Sequence, residues 1–306
     1  MDDINSRMKD PKSLFVLVVG ATGNQGGAVA RRLIERGHKV RALTRKKDSH
    51  KAKELVKLGV EIVEGDFGDV SSLQNAMEGV DAVFAMTTPF EEGTNFEVKS
   101  GYLLEFAANT MGVNHIVFSL VASSDQKTGI PHFESKYEIE KHLKSIDRPY
   151  TIIKPVYFME NLLRPTMISG LKNGKIAVPL PEDRKLQMVS LEDLANMVVH
   201  IFENRDLFLK KTIEIASDEI TGKQIAEILA KVIGIPIEYQ ELSYDDIKPI
   251  GEDFIKNFKW LNEVGYKVNI LSLHERFPEV GWHTFEEWAR KQYWRAVSEP
   301  VEQKII

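Results

Sequence analysis

Three glycines, Gly20, Gly23 and Gly26, stand at G-x-x-G-x-x-G spacing between the apolar run Leu14–Val19 and a helical pattern that opens at Ala28. Strand, glycine turn and helix in that order make a site for a phosphate group. A continuous run of Val and Leu reads as a strand buried on both faces, as in a parallel sheet. Glycine reaches positive φ and lets a ligand come close to the backbone. The N–H groups and positive dipole end of the following helix then face an anion. Gly20, Thr22, Gly23, Asn24, Gln25 and Gly26 are therefore the candidate pyrophosphate turn of a bound dinucleotide. A glycine-rich turn with no ligand would use the same residues, and it is the flanking strand and helix that favour the dinucleotide.

The residues after the next strand select the nucleotide. That strand, His38–Arg45, ends Leu43-Thr44-Arg45-Lys46-Lys47, with no acid before Asp48. An NAD site normally places a carboxylate there to accept from the ribose 2′-hydroxyl. A carboxylate would repel a 2′-phosphate, whereas Arg45 can grip one through two parallel hydrogen bonds and Lys46 or Lys47 adds a point charge. The expected ligand is NADP(H); a solvated basic turn is the alternative. Asp66 and Phe67 follow the third strand, where the adenine ring lies, and Asp66 is either an acceptor for the adenine amino group or a turn residue. Thr87-Thr88-Pro89, after the fourth strand, either runs beside the pyrophosphate and nicotinamide ribose or is a plain turn.

The elements that must position these residues alternate along the chain. Strands are expected at Val60–Asp66, Val80–Thr87, His115–Leu120 and Tyr150–Pro155. Helices are expected at Ala28–Arg36, Lys51–Leu58, Val70–Met77 with Asp69 as cap, Phe96–Met111 and Phe133–Ser145. This rhythm predicts right-handed βαβ units and an α/β fold, a doubly wound parallel (Rossmann) sheet. Residues 156–187, rich in Pro, Gly and Met, read as irregular. Beyond them come a strand and helix over Met188–Asn204, a strand at Lys211–Ser217, a helix at Thr221–Ile233 capped by Thr221, and a strand at Ile237–Ser243. A mostly helical remainder carries Trp260, Trp282, Trp288 and Trp294, read as packing rather than a ligand cage. The expected division is a nucleotide-binding domain at 13–155, completed by parts of 188–217, with a smaller α+β domain from 156–187 and 218–306. Ligands of such folds sit outside the carboxyl ends of the strands.

Composition bounds the rest. The 306 residues are 43% hydrophobic and 28% charged, an ordinary globular balance. A formal charge of −5 gives no reason to expect nucleic acid as a direct partner. No apolar run reaches the length of a membrane span, and residues 1–12 read as a loose polar tail without the apolar core of a signal peptide. A cytoplasmic protein is the default expectation. With no cysteine, disulfides and thiolate chemistry are excluded, and the eight histidines show no metal-ligand spacing, so no metal is expected.

Together GATGNQG, TRK, EGDFGD, HFESKYEIE and KPVYFMENL resemble the NmrA-like family of atypical short-chain dehydrogenases/reductases over about residues 14–295. The resemblance implies an NADP(H)-binding Rossmann domain with a smaller C-terminal domain. It implies either an NADPH-dependent reductase, of quinones among other substrates, or a non-catalytic redox sensor that regulates a protein partner. Active short-chain reductases use Tyr-x-x-x-Lys with a Ser or Thr after the fifth strand. Two registers are open here. Tyr137 and Lys141 fit that spacing literally, whereas His132-Phe-Glu-Ser-Lys136 fits the extended form Y-x-x-S-K with histidine for tyrosine, and Glu140 then falls on the family's following acid. The second is preferred, with Lys136 on the nicotinamide ribose and His132 either the candidate acid or a structural histidine. Tyr137 lies about 100° round the helix from Lys136, so the two cannot serve one nicotinamide. Ser119 ends the fifth strand, but the usual hydroxyl position is Val121, and Ser123 or Ser124 reach in only on rearrangement. By the same resemblance Tyr157 and Phe158 stack on the nicotinamide and Asn161 bonds its carboxamide, unless this segment is hinge packing. Asp193 reads as a structural residue at a helix start. A reductase of a small electrophile such as a quinone is the expectation, with the sensor as alternative.

Overall fold

The structure, a computed structural model, describes residues 13–298; the polar tail read at 1–12 lies outside them. Its central sheet is built from β1 (Phe15–Val19), β2 (Lys39–Thr44), β3 (Glu61–Glu64), β4 (Ala82–Met86), β5 (His115–Ser119) and β6 (Tyr150–Pro155), and one later strand. After β7 (Tyr157–Phe158), β8 (Lys175–Val178) and β9 (Lys185–Val189), that later strand is β10 (Thr212–Ile215). The order is β10-β6-β5-β4-β1-β2-β3. Leu17 sits between Arg41 of β2 and Val83 of β4, both parallel. The bonds Ile116 N to Pro149 O and Leu120 N to Ile153 O advance together, as in a parallel pair. The order therefore reverses between β1 and β4, the place where a doubly wound sheet opens a crevice at its strand carboxyl ends. β1 has the composition of a central strand: Val16, Leu17, Val18 and Val19 are all fully buried.

Helices α1 (Asn24–Glu35), α2 (His50–Lys57), α3 (Val70–Met77), α4 (Thr94–Thr110) and α5 (Pro131–Ser145) follow strands β1 to β5 in turn. Asp69 caps α3 by accepting from Ser71 N. The first helix departs from the sequence expectation. It starts at Asn24, four residues before Ala28, and contains Gly26 and Gly27. Helix propensity disfavours glycine there. Packing overrides it, because a Cβ at Gly26 would lie 2.4 Å from the Gly20 carbonyl oxygen.

The stretch 156–187 also departs from expectation. It holds β7, a 3-10 turn at Met159–Leu163, the helix Pro165–Lys172, β8 and the start of β9. These pieces are two to eight residues long, and their partners are remote. β8 pairs with β12 (Glu238–Glu241), and β9 pairs with β7 and with β11 (Asp218–Thr221). No local periodicity announces such pairings.

The chain divides into two compact units. One comprises residues 13–119, 139–152 and 195–212; the other comprises 120–138, 153–194 and 213–298. The second unit has its own core, in which Phe133, Phe285, Trp260, Trp288 and Trp294 are buried. The helix Gly222–Ile233 is capped by a reciprocal pair, Thr221 and Gln224. No helix among the described residues is long and apolar enough to cross a membrane.

Candidate functional site

The glycine turn is a folded cradle. Gly20 has φ +72, and a Cβ there would lie 2.9 Å from Met86 Sδ at the end of β4. Gly23 N donates to Gly20 O at 2.9 Å, closing the turn. Gly23 is also the N-cap of α1, and no side chain caps the helix, so its first N–H groups carry no side-chain partner of that kind. Around this turn lies a cavity of about 710 Å³. Its lining includes Gly20, Thr22, Gly23, Asn24, Gln25, Gly26, Arg45, Lys46, Asp66 and Phe67. Ten of the residues singled out from the sequence thus share one cavity in the first unit. Its volume lies within the range of small-molecule and cofactor sites.

Several local bonds shape this wall. Lys46 N donates to Thr44 Oγ1 at 3.2 Å, turning the chain at the end of β2. Asp66 Oδ1 accepts from Gly68 N at 2.7 Å, so Asp66 is both a turn-former and a wall residue. Thr87 is buried and its hydroxyl donates to Glu97 Oε1 at 3.1 Å; its neighbours Met86 and Thr88 line the cavity instead. The sequence reading did not single out Glu91 and Glu92, which also line it. Arg45 Nη2 is 2.6 Å from Glu91 Oε2, with both side chains more than half exposed. The signal that would have found them is the strand-end rule applied to the whole β4–α4 connection rather than to its first residues.

Of the remaining candidates, His132, Lys136, Tyr157, Phe158, Asn161 and Asp193 belong to the second unit, whereas Glu140 and Lys141 fall in the first. His132 stands in the first turn of α5, and Asp253 holds it twice: Asp253 Oδ1 meets the ring Nδ1, and Asp253 Oδ2 accepts from the backbone N at 3.0 Å. Burial pushes the Asp253 carboxyl up, but the hydrogen bonds and charge of His132 outweigh it and hold the group below the usual carboxylate range. Lys136, one turn on, is half-buried, whereas Lys141 is exposed. Glu140 is buried and accepts from Lys144 Nζ at 2.5 Å. In the loop after β5, Ser123 and Ser124 are buried, and Ser123 takes φ +61. That loop is pinned. Ser123 N donates to Glu214 Oε1 at 2.8 Å, and the buried Lys154 lies 2.9 Å from Asp125 and 3.7 Å from Glu214.

Tyr157 and Phe158 are consecutive residues of β7, paired with Met188 and Val189. Successive strand residues project to opposite faces, so they cannot stack on one ring together. Tyr157 lines a small apolar cavity with Leu162, Met188, Tyr239 and Phe258. Burial pushes its phenol up, against the opposing pull of Arg164 and a hydrogen bond with Asn161. Glu160 Oε1 accepts from Leu191 N and Trp288 Nε1, while Oε2 is buried without a partner. Burial raises its carboxyl above the usual range. Asp193 is fully buried and binds Ser217 and His283. Among the described residues no three His, Asp or Glu side chains gather so as to hold a metal ion.

A parallel sheet reversing beside a glycine cradle defines a nucleotide-binding α/β protein of the Rossmann type. Comparison narrows this: the NmrA-like family model matches residues 12–289, and the chain belongs to that family. It is 26% identical over 285 residues to a (4-alkanoyl-5-oxo-2,5-dihydrofuran-3-yl)methyl phosphate reductase of Streptomyces griseus, covering 90% of this chain and 96% of that one. Among solved structures it resembles Citrobacter sp. triphenylmethane reductase complexed with NADP(H), at TM-score 0.77, 20% identity, and coverage of 91% of this chain and 99% of that chain. It also resembles NmrA, a negative transcriptional regulator, in complex with NADP, at TM-score 0.75, 18% identity, and coverage of 91% and 95%.

Proposed function

We propose that this protein binds NADP(H) and reduces a small electrophile of the quinone class. The observation that carries the binding is the cavity that joins the glycine cradle to Arg45 and Lys46. The cradle fits a dinucleotide in two further respects. Gln25 Oε1 is buried without a protein partner, and a side chain at Gly20 or Gly26 would collide with its neighbours. In this reading the N–H groups at the start of α1 hold the pyrophosphate, Arg45 and Lys46 the 2′-phosphate, and Asp66 and Phe67 the adenine. The family resemblance assigns Lys136 to the nicotinamide ribose and Tyr157 or Phe158, with Asn161, to the ring. NADPH, when bound, supplies the reducing equivalents. The protein's part is to bind, orient and exclude water. His132 is the candidate proton donor, and Asp253 fixes its ring. A quinone-type acceptor tolerates a weak acid, because its reduced oxygens take protons from water.

The relatives bracket this reading: a reductase on one side, a regulator on the other. One observation favours the second reading, a non-catalytic redox sensor that regulates a protein partner. The histidine in place of the family's tyrosine is engaged by Asp253 through both ring and backbone. The experiment that decides is NADPH oxidation against a panel of quinones and aldehydes, with NADPH affinity measured in parallel. Turnover that Lys136→Ala abolishes supports the reductase. Tight NADPH binding with no turnover on any acceptor supports the sensor. Absence of NADPH binding removes both.

A further inference from the structure

Glu91 stands where a cofactor phosphate would be expected to compete with it. It belongs to the connection between β4 and α4, a short turn closed by Gly93 N donating to Pro89 O at 2.8 Å. Gly93 takes φ +86, which favours glycine, and ends the turn at the N-cap of α4. This holds Glu91 and Glu92 over the cavity wall formed by Arg45 and Lys46. Arg45 Nη2 meets Glu91 Oε2 at 2.6 Å, so one arm of its fork is already spent on a carboxylate.

We propose that Glu91 is a specificity-determining residue that occupies Arg45 in place of the ribose 2′-phosphate and narrows the preference for NADP(H) over NAD(H). The proposal rests on the dinucleotide reading above. A 2′-phosphate carries close to two negative charges and prefers a bidentate arginine fork. To take that fork it must displace Glu91, or share the arginine with a carboxylate of like charge. NAD(H) lacks the 2′-phosphate and leaves the Arg45–Glu91 pair intact. The penalty therefore falls on NADP(H) alone. The pair is exposed, so solvent and salt screen it and the effect is modest, about three- to fivefold in affinity at low salt. Glu92, on the same wall, adds like charge and contributes through its field.

The test is fluorescence or calorimetric titration of the full chain with four probes: NADPH, NADH, 2′,5′-ADP and 5′-AMP. Glu91→Gln keeps the shape and removes the charge. It is expected to tighten NADPH and 2′,5′-ADP three- to fivefold while NADH and 5′-AMP stay within a factor of about 1.5. Added salt should shrink the difference between variant and parent. In the Arg45→Ala background the same substitution should lose most of its effect, because nothing remains to compete for. A gain shared equally by all four probes, no gain for any, or a full gain without Arg45 overturns the proposal. Both side chains are exposed, so an unchanged melting temperature excludes misfolding as a cause. A parent protein that binds neither NADPH nor NADH removes the dinucleotide reading itself. If NADPH binds and Glu91→Gln changes nothing, only the role of Glu91 falls.

Discussion

The contact between Gly26 and Gly20 sets up a controlled experiment on the cradle. In Gly26→Ala the new methyl would lie 2.4 Å from Gly20 O, 2.5 Å from Gly20 C and 2.8 Å from Ala21 N, all backbone atoms. Ordinary contact begins near 3.4 Å, so turn and helix must separate by roughly 1 Å. Overpacking of this kind costs about 1–3 kcal/mol, and rigid backbone on the far side argues for the upper end. Alanine returns about 1 kcal/mol of helix propensity, leaving a net loss of about 2 kcal/mol. Gly27→Ala is the control. It lies in the same helix and gains the same propensity, but its nearest atom, Ala21 O, is 3.1 Å away, so it should be close to neutral. Urea denaturation gives the stabilities. NADPH titration gives the functional consequence, a loss of at least about tenfold for Gly26→Ala, because a displacement of roughly 1 Å misaligns the turn's N–H groups. The reasoning is refuted if the two variants agree within about 0.5 kcal/mol and both bind NADPH within twofold of the parent.

Two further predictions concern buried ionisable groups. His115 is buried and donates to Thr151 Oγ1 at 2.8 Å, since that hydroxyl itself donates to Phe208 O; burial lowers its pKa from 6.5 to about 4. The unfolded chain therefore takes up a proton first as the pH falls. The stability it contributes is complete above pH 6.5 and is lost towards pH 4, by about 3 kcal/mol. His115→Gln should flatten that limb of the stability–pH curve measured by denaturation, and an unchanged slope would remove the assignment. Glu160, held above the carboxylate range by burial, should be replaced by Gln with a change under about 1 kcal/mol. Glu160→Ala strands Leu191 N and Trp288 Nε1 and should cost about 2 kcal/mol in the same assay. Equal losses in the two variants would show that the hydrogen bonds do not matter.

Much of this protein was legible in its amino-acid order because the responsible signals are local. A continuous run of Val and Leu reads as a strand covered on both faces, and a helix α3 with Asp69 before it announces its own cap. The cradle, the basic end of β2 and Asp66–Phe67 follow from where each strand stops, and they meet in one cavity because parallel strands bring their carboxyl ends to one edge. Other features depend on atoms distant in the chain. Gly26 serves helix–turn contact, which no spacing rule separates from ligand contact. The pairing of β8 with β12 joins segments some sixty residues apart, so although β12 lies within the strand expected at Ile237–Ser243, nothing local in either segment names its partner. His132 gained Asp253 and Arg45 gained Glu91 only when folding brought together residues from different connections. The sequence by itself determined the sheet, the nucleotide turn and the charge expected beside it. Only the tertiary structure decided which carboxylates stand against that charge and against His132, because pairing of charges depends on distance in space, not on separation along the chain.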